Sequence, residues 1–526
     1  MLTSGVTIAI PSVFFEDTNT AENIEDVEVD IIDYSDIGSG YSDDEKLQHC
    51  SSNDQAKSND FVREYKIPTE CTQPLAITTD PNGAVWFAQT NTGNIAKFDP
   101  VTETFTEYTN SQWVDAEKRF KQKLRSMMWG MDYSPDGAIW YTEEATDSIW
   151  RFSITDEKYN RIDFPITDEI SSLPQKLVID GSNVVVNDFT GGKLTIFGYS
   201  QDSLSYSSIP SPIDGFTSDF AIDSENNIWY TNWNPDGTGI IVKFDHEKWE
   251  SQLSLSPEAD SLLLQDYVQF FQFPSGMTTP NGIAVGPNQN IWIVDTTSNY
   301  FFSFDPVTEE FTKYVTSIPT IDSYGNASGF IKNPISRPYW IEHSDNNLVF
   351  NEQTANRIGV FNPSTETLVE YTIPSRNPNW SDCEGIEYCG VAQVFSFTID
   401  GKKIWFTEWV ENNIGVIDTS ISLPFSIDTD KQSITLEKGQ TANIMLYVTS
   451  TTSDLSDNVI VNSSTTSTFS DIVVTSEQKE LYIDDSSKTM IQITVSESAL
   501  SGTHKVLLGA YNDDIAISKF ITVIIE

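Results

Sequence analysis

Residues 74–108 read PLAITTDPNGAVWFAQTNTGNIAKFDPVTETFTEY, and this stretch decides the fold. It contains a Pro-Leu-Ala-Ile opening, a Trp-Phe core, an Ile-Ala-Lys-Phe segment and a closing Glu-Tyr segment, each short and rich in β-forming residues. Turn residues such as Asp80-Pro81-Asn82-Gly83 separate them. The stretch is therefore predicted to fold as four antiparallel strands.

The core of this unit, two apolar residues followed two positions later by a polar residue, recurs along the chain. The copies are Trp86-Phe87-Ala88-Gln89, Trp140-Tyr141-Thr142-Glu143, Val185-Val186-Asn187-Asp188, Trp229-Tyr230-Thr231-Asn232, Trp292-Ile293-Val294-Asp295, Val349-Phe350-Asn351-Glu352 and Trp405-Phe406-Thr407-Glu408. Four strands per copy, at a spacing of roughly 45 to 60 residues, are typical of β-propeller blades. The chain is therefore predicted to be all-β, with a seven-bladed β-propeller at 61–420.

The sequence also indicates how the ring of blades is closed. The seventh copy ends near Asp418 without a closing strand, whereas a matching segment, Arg63-Glu64-Tyr65-Lys66-Ile67-Pro68, precedes the first copy. An unpaired outer edge would be left open for association with other chains. We therefore expect the N-terminal segment to provide the outer strand of the last blade.

Three further regions flank the propeller. Residues 1–15 hold an apolar run interrupted by Pro11 and are interpreted as a signal or anchor remnant. Residues 16–60 are rich in Asp, Glu, Ser and Asn, and are predicted to be a disordered acidic linker. Residues 421–526 are rich in Ser, Thr, Val and Ile, contain no Trp and show strand patterns. They resemble an immunoglobulin-like β-sandwich appended to the propeller.

The repeat resembles the virginiamycin B lyase-like seven-bladed propellers over residues 63–418. The residues that carry the resemblance are Pro280-Asn281-Gly282-Ile283 with Trp292, Asn356-Arg357-Ile358-Gly359 with Glu370-Tyr371-Thr372-Ile373-Pro374, and Trp405-Phe406-Thr407-Glu408-Trp409 with Asn412-Asn413-Ile414-Gly415. The lyases of this family open a streptogramin lactone by elimination, with Mg²⁺ and with histidines in the Pro-His-Gly/Ala-Ile openings of late blades. The resemblance therefore implies a propeller fold and, for function, a metal-dependent lyase or lactone-acting enzyme.

The openings that match those histidines carry Asn281 and Tyr339 in this chain. His343 is the histidine nearest the inner strands, and it is either a general base or a structural turn residue. An enzyme of the lyase type would then use a rearranged site. Its catalytic candidates are Tyr339, His343, Glu352 and Glu408.

The polar residues at the ends of the seven cores suggest a second kind of site. Second strands of propeller blades end near one mouth of the central channel, where carboxylates would attract Ca²⁺ or Mg²⁺. The metal candidates are Glu143, Asp188, Asp295, Glu352 and Glu408, and the other ligand-binding candidates are Gln89, Asn232 and Asn281. The alternative is that these side chains cap strand ends and bind channel water.

Charge limits the class of partner. Asp and Glu number 77 against 30 Lys and Arg, which gives a formal net charge of −47. Such a surface repels phosphate backbones and excludes a general nucleic-acid-binding function. A small molecule, a glycan or a cation at the propeller mouth, and components of the cell envelope, remain as expected partners.

Four cysteines suggest the compartment. They divide into Cys50 with Cys71 and Cys383 with Cys389, and an even number is consistent with two disulfides, although four cysteines allow three pairings. Disulfides are typical of oxidising compartments, so we expect an extracytoplasmic protein that is secreted or attached to the cell surface. The leading functional hypothesis is a non-catalytic binding or envelope module, with the metal-dependent lyase as the alternative.

Overall fold

The computed structural model describes residues 56–113, 127–144, 147–164, 172–200, 203–234, 236–255, 266–319, 335–375, 394–451, 457–467, 470–483 and 485–526. The predicted segment at 1–15 and most of the linker at 16–60 lie outside these residues. Residues near the end of that linker already contact the ring, because the backbone N–H of Lys57 donates to Glu64 Oε2 over 2.7 Å.

The repeat folds into seven four-stranded antiparallel blades, as predicted. Blade one contains β2 (Pro74–Thr79), β3 (Val85–Gln89), β4 (Asn94–Asp99) and β5 (Thr104–Tyr108). Blade two contains β6 (Met131–Ser134), β7 (Ala138–Glu143), β8 (Ser148–Ser153) and β9 (Lys158–Asp163). Blade three contains β10 (Pro174–Asp180), β11 (Asn183–Asp188), β12 (Lys193–Ser200) and β13 (Ser203–Pro210).

The remaining blades follow the same order, with one helix inserted. Blade four contains β14 (Phe220–Ile222), β15 (Asn227–Trp233), β16 (Gly239–Asp245), α1 (His246–Leu255) and β17 (Val268–Gln272). Blade five contains β18 (Pro280–Val285), a 3₁₀ turn (Pro287–Gln289), β19 (Ile291–Asp295), β20 (Tyr300–Asp305) and β21 (Glu310–Val315). Blade six contains β22 (Pro338–Ser344), β23 (Asn347–Glu352), β24 (Arg357–Asn362) and β25 (Thr367–Thr372). Blade seven contains β26 (Val394–Asp400), β27 (Lys403–Glu408), β28 (Asn413–Asp418) and β1 (Val62–Lys66).

Each blade is buried on both faces, which explains why its second strand carries large apolar residues in succession. Trp86 and Phe87 point to opposite faces of β3, yet both are fully buried. The Trp86 ring faces the next blade, where it lies 6.0 Å from the Phe152 ring. The apolar core is therefore divided among the spaces between neighbouring blades.

The ring closes through its N-terminal strand, and this prediction is confirmed. β1 pairs antiparallel with β28, with Tyr65 opposite Ile414 and Val62 opposite Ile417. Blade seven thus combines three strands from the end of the propeller with one from its start. The outer edge of the last blade is paired, as the sequence indicates.

The C-terminal region forms two facing sheets. One sheet contains β29 (Phe425–Thr429), β31 (Thr441–Ser450), β35 (Ser486–Val495) and β33 (Ile472–Ser476). The other contains β30 (Ser433–Leu436), β37 (Ile515–Ile525), β36 (Gly502–Tyr511), β32 (Asp457–Thr465) and β34 (Glu480–Ile483). Ile444 and Ile491 from the first sheet share an apolar cluster with Val506 and Val523 from the second. The immunoglobulin-like assignment of this sandwich remains a prediction.

The sandwich is joined to the propeller through a shared sheet, which the sequence analysis did not predict. β37 pairs antiparallel with β25, the outer strand of blade six, with Val369 opposite Ile517. Phe520 of β37 also packs against Tyr314 and Phe361 of blades five and six. A single nine-stranded sheet therefore runs from the inner strand of blade six into the sandwich.

Candidate ligand site in the central channel

The polar residues that end the second strands are all buried, but each is held near its own blade. The contacts are Gln89 Nε2 to Glu107 at 2.5 Å, Asp188 to Lys193 Nζ at 3.7 Å, Asn232 Oδ1 to the Ile213 amide at 3.1 Å, Asp295 Oδ1 to the Thr279 amide at 2.8 Å, Glu352 to Arg357 at 2.6 Å and Glu408 to Asn413 at 3.0 Å. Glu143 lies beside Glu144 and Asp147, whose pKa values are raised by burial and then by neighbouring carboxylates.

These contacts favour the strand-end alternative over a shared ring of ligands. Within the described residues, no three His, Cys, Asp or Glu side chains are grouped as a metal site. The five predicted carboxylates, Glu143, Asp188, Asp295, Glu352 and Glu408, are therefore not brought together around one cation. Their partners are nearby residues, such as Arg357 of the third strand for Glu352, Glu107 of the outer strand for Gln89, and the Thr279 amide before the first strand for Asp295.

Glu352 in blade six is part of a buried ionic cluster. Arg357 Nη2 lies 2.6 Å from Glu352 Oε2 and 3.3 Å from Glu370 Oε1. Arg357 also donates to the hydroxyl and carbonyl oxygens of Ser317, which precedes blade six. Burial raises the pKa of Glu352 well above its ordinary value, and the guanidinium opposes that shift.

Glu408 in blade seven occupies the position that corresponds to Glu352, and among the described residues its neighbours are uncharged or acidic. Asn413 stands where blade six has Arg357, and its Nδ2 donates to Glu408 over 3.0 Å. Glu64 of β1 corresponds to Glu370 and accepts hydrogen bonds from the amide and hydroxyl groups of Ser375. Burial and then the Glu64 carboxylate raise the pKa of Glu408 well above its ordinary value.

The four catalytic candidates do not converge on one pocket. Pro338 is paired with Glu352, so Tyr339 and Glu352 lie at the same end of blade six. His343 is paired with Leu348 near the opposite end of β22, about 13 Å along the strand from Tyr339, and it is exposed. The predicted combination of His343 with Tyr339 and Glu352 is therefore wrong, because the extended strand separates them.

Tyr339 lies in a buried group of aromatic rings. Its ring stacks at 5.9 Å on Trp129 of blade two and lies 5.0 Å from the Trp340 ring. Burial raises the pKa of the Tyr339 hydroxyl above its ordinary range, so the phenol stays neutral. The Trp129 indole donates to Glu144 over 2.8 Å, and burial raises the pKa of that carboxyl to about 7.

Asn281, the other residue that matches a histidine position of the lyases, is also buried.

The inner strands enclose a cavity of about 180 Å³ in the central channel. Inner strands of neighbouring blades contact one another, for example β2 with both β6 and β26. The cavity is lined by charged, hydroxyl and aromatic side chains from several blades, including Asp132, Lys176, Glu342, Ser396, Trp129 and Trp340. The channel is therefore a polar cavity with two indole rings in its wall.

Lys176, Asp132 and Glu342 line this cavity, and the buried Asp219 carboxyl lies near enough to act on Lys176. Lys176 Nζ lies 3.6 Å from Glu342 Oε1. Burial alone would lower the pKa of Lys176, but the carboxylates of Asp219, Glu342 and Asp132 outweigh it and raise the pKa. The lysine is therefore charged, and the four groups carry a formal charge of −2 when all the carboxyls are ionised.

The buried carboxyls of the cluster are held by backbone groups. Asp132 accepts a hydrogen bond from the Ile179 amide over 2.8 Å, and Asp219 accepts one from the Ile283 amide over 3.2 Å. Burial raises the pKa of Asp219 to about 7 and also raises the pKa of Asp132. Each carboxyl is thus fixed across a junction between blades, and its charge responds to pH.

This cluster was not predicted from the sequence. Its members lie in the openings of blades two, three, four and six, at different distances before the core of each repeat. A charged residue within the opening of a blade was the available signal, as with Lys176 in Pro174-Gln175-Lys176-Leu177. Only the ring geometry shows that these residues face one another.

The cysteine predictions are tested only in part. Cys71 is disulfide-bonded, and Cys50, Cys383 and Cys389 lie outside the described residues. The pairings Cys50–Cys71 and Cys383–Cys389 therefore stay predictions. Among the described helical segments, none has the length and apolar character of a membrane span.

No protein-family model and no curated protein match this chain. Solved structures do. The selenomethionine-substituted virginiamycin B lyase from Staphylococcus aureus is 20% identical, with a TM-score of 0.50, over 69% of this chain and 99% of that one. A streptogramin B lyase structure is 18% identical, with a TM-score of 0.49, over 68% and 96% of the two chains. The resemblance to virginiamycin B lyase-like propellers is therefore confirmed at the level of the fold.

Proposed function

We propose that the propeller binds a small, positively charged organic ligand in its central channel. The observation that carries this proposal is the cluster of Asp132, Asp219 and Glu342 around the single ammonium of Lys176, beside a cavity of about 180 Å³. Buried charges in proteins are normally paired, and this cluster holds more negative than positive charge once its carboxyls are ionised. A ligand cation would complete the pairing.

The walls of the cavity suit an organic cation. Lys176 Nζ already lies 5.7 Å from the centre of the Trp340 ring, within the distance of a cation–π contact. An amine that enters beside it would meet the partly exposed Glu342 carboxylate and the hydroxyl of Ser396. At this volume, the ligand would be smaller than the drug-sized molecules that fill ordinary pockets.

The same contacts argue against the alternative of a lyase. A general base needs an appropriate pKa and reach to its substrate. Glu352 is held by Arg357, Tyr339 has a raised pKa, and Lys176 is protonated. Asp219 has a pKa of about 7, but it is buried and its two oxygens accept backbone N–H groups of Phe220 and Ile283. A non-catalytic binding module fits these constraints better.

The compartment forms part of the same proposal. The disulfide at Cys71 supports an extracytoplasmic location, because disulfides persist mainly in oxidising surroundings. We propose that the propeller meets its ligand there, whether the protein is secreted or attached to the cell surface. Protease accessibility of the protein on intact cells tests this part.

Binding can be tested by calorimetry with pairs of small amines and their neutral isosteres. We expect the amines to bind and the neutral partners to bind at least tenfold more weakly, because a charge-assisted hydrogen bond contributes roughly 1.5–3 kcal/mol. Glu342→Gln should weaken amine binding by a similar factor. Glu225→Gln is the matched control, since the Glu225 side chain is 77% exposed on blade four. Equal binding of charged and neutral probes, or an unchanged affinity in Glu342→Gln, would overturn the proposal.

A further inference from the structure

A second cavity, of about 360 Å³, lies between blades six and seven. Its inner wall is apolar and includes Val349, Val369 and Ile404, while its rim includes the polar residues Asp345 and Lys402. A concave pocket of this volume that combines an apolar wall with polar side chains has the form of a small-molecule site. We propose that it binds a flat aromatic ring the size of indole, with an N–H donor.

The origin of the cavity is a missing tryptophan. In five blades the first core residue is Trp, and its ring packs toward the following blade. Trp292 of blade five, for example, lies 5.6 Å from the Phe361 ring of blade six. Blade six has Val349 at this position, with about seven fewer side-chain heavy atoms than Trp. The space that an indole fills at other junctions is therefore open between blades six and seven.

Blade three provides the internal comparison, because Val185 also replaces the tryptophan there. At that junction Val185 belongs to an apolar cluster that includes Trp249 of α1 and Tyr267. Two large aromatic side chains from the insertion in blade four thus contribute to the packing. At the junction of blades six and seven, the wall of the cavity instead includes Leu423, from the segment that leads to the sandwich.

The rim offers a partner for the N–H group of the ligand. In blades one and four the core indole donates to an aspartate of the preceding turn, from Trp86 to Asp80 over 3.0 Å and from Trp229 to Asp223 over 2.8 Å. The equivalent turn of blade six contains Asp345, which lines the cavity. Asp345 is 3.0 Å from Lys402 of blade seven, and both side chains are more than half exposed. A carboxylate therefore lies at the end of the blade where the Trp86 and Trp229 indoles find theirs.

The probe for this site is indole itself, with N-methylindole as the probe that lacks the donor. We expect indole to bind the wild-type chain in calorimetry and to bind severalfold more tightly than N-methylindole. Val349→Trp should reduce indole binding at least tenfold and raise the melting temperature, because its ring fills the cavity. Glu342→Gln in the channel should leave indole binding unchanged, which separates this site from the proposed channel site.

Two results would overturn the inference. One is an absence of indole binding by the wild-type chain, and the other is unchanged indole binding in a folded Val349→Trp variant. If Val349→Trp does not fold, Val360→Phe replaces it, because Val360 is a partly exposed wall residue that narrows the cavity when enlarged. Unchanged indole binding in that variant would equally contradict the proposed site.

Discussion

Blades six and seven use the same four positions to hold their outer strand, but they differ in one residue. Blade six combines Glu352, Glu370 and Ser317 with Arg357. Blade seven combines Glu408, Glu64 and Ser375 with Asn413, which donates a hydrogen bond and carries no charge. Burial raises the pKa of Glu352, Glu408 and Glu64, and in blade six the Arg357 guanidinium opposes this rise for Glu352.

The comparison shows two ways to bury a pair of carboxyl groups. Blade six places a guanidinium against both carboxyl groups, and this cation opposes the rise that burial causes in the pKa of Glu352. In blade seven a proton held by Glu408 or Glu64 reduces the repulsion between the two carboxyl groups, since two carboxyls that share a site ionise in separate steps. The junction that closes the ring should therefore depend on pH more strongly than the junction before it.

The largest expected effect comes from converting blade six to the arrangement of blade seven. Arg357→Asn removes the guanidinium that contacts both carboxylates and leaves Glu352 and Glu370 facing each other. We expect a loss of roughly 3–5 kcal/mol in the free energy of unfolding at pH 7, as for other broken buried ion pairs. Urea denaturation followed by tryptophan fluorescence measures this loss. Lys402→Asn, at an exposed ion pair, is the matched control and should cost less than about 1 kcal/mol.

The second prediction compares Glu352→Gln with Glu408→Gln. Glu352→Gln should destabilise the protein at pH 8 by roughly 1.5–3 kcal/mol, because it replaces a charge-assisted bond to Arg357. Glu408→Gln should leave stability unchanged or raise it at the same pH, because it removes a carboxyl that resists ionisation. Equal destabilisation by both substitutions would contradict the distinction between the two blades.

The pH dependence has a definite sign. The folded-state pKa values of Glu64 and Glu408 are raised above 4.5, so their contribution to stability is full below that pH and is lost as the pH rises through the folded values. While one such carboxyl titrates, stability should fall by up to about 1.4 kcal/mol per pH unit. Denaturation between pH 4.5 and 8 should show a shallower decline in Glu408→Gln than in the wild type. Parallel declines would refute the proton-sharing account.

The serines offer a smaller test of the same comparison. Ser375→Ala removes the hydroxyl that donates to Glu64 and should cost about 1 kcal/mol. Ser317→Ala should cost more, because that hydroxyl contacts both Glu370 and Arg357. Thermal melts of both variants at pH 7 give the order. The reverse order would show that the charge on Arg357 does not strengthen the blade-six cluster.

The smallest expected effect is that of divalent cations. Because the strand-end carboxylates are held by their own blades, Ca²⁺ or Mg²⁺ should raise the melting temperature no more than a monovalent salt at matched ionic strength does. A larger, saturable increase that disappears in a Glu352→Gln/Glu408→Gln variant would restore the metal site that the sequence predicted.

The propeller and its closure were predictable because they depend on periodicity. Repeated cores such as Trp86-Phe87 and Trp405-Phe406 mark the blades, and the segment around Tyr65 matches the outer strands of other units. The shared sheet of β25 and β37 was not predictable, since strand edges far apart in sequence carry no common pattern. The channel cluster could not be predicted for a similar reason. Lys176 lies in blade three and Glu342 in blade six, and their side chains come together only when the ring has formed.

The closing strand also sets an order of events during synthesis. β1 is among the first segments of the propeller to be translated, yet its partner around Ile414 follows more than 300 residues later. At 5–20 residues per second, β1 waits roughly 20–70 s for that partner. During this interval its Val62 and Glu64 side chains lack their native burial, and the ring is open. A nascent-chain chaperone that shields this edge would therefore act on the first strand made rather than on the last.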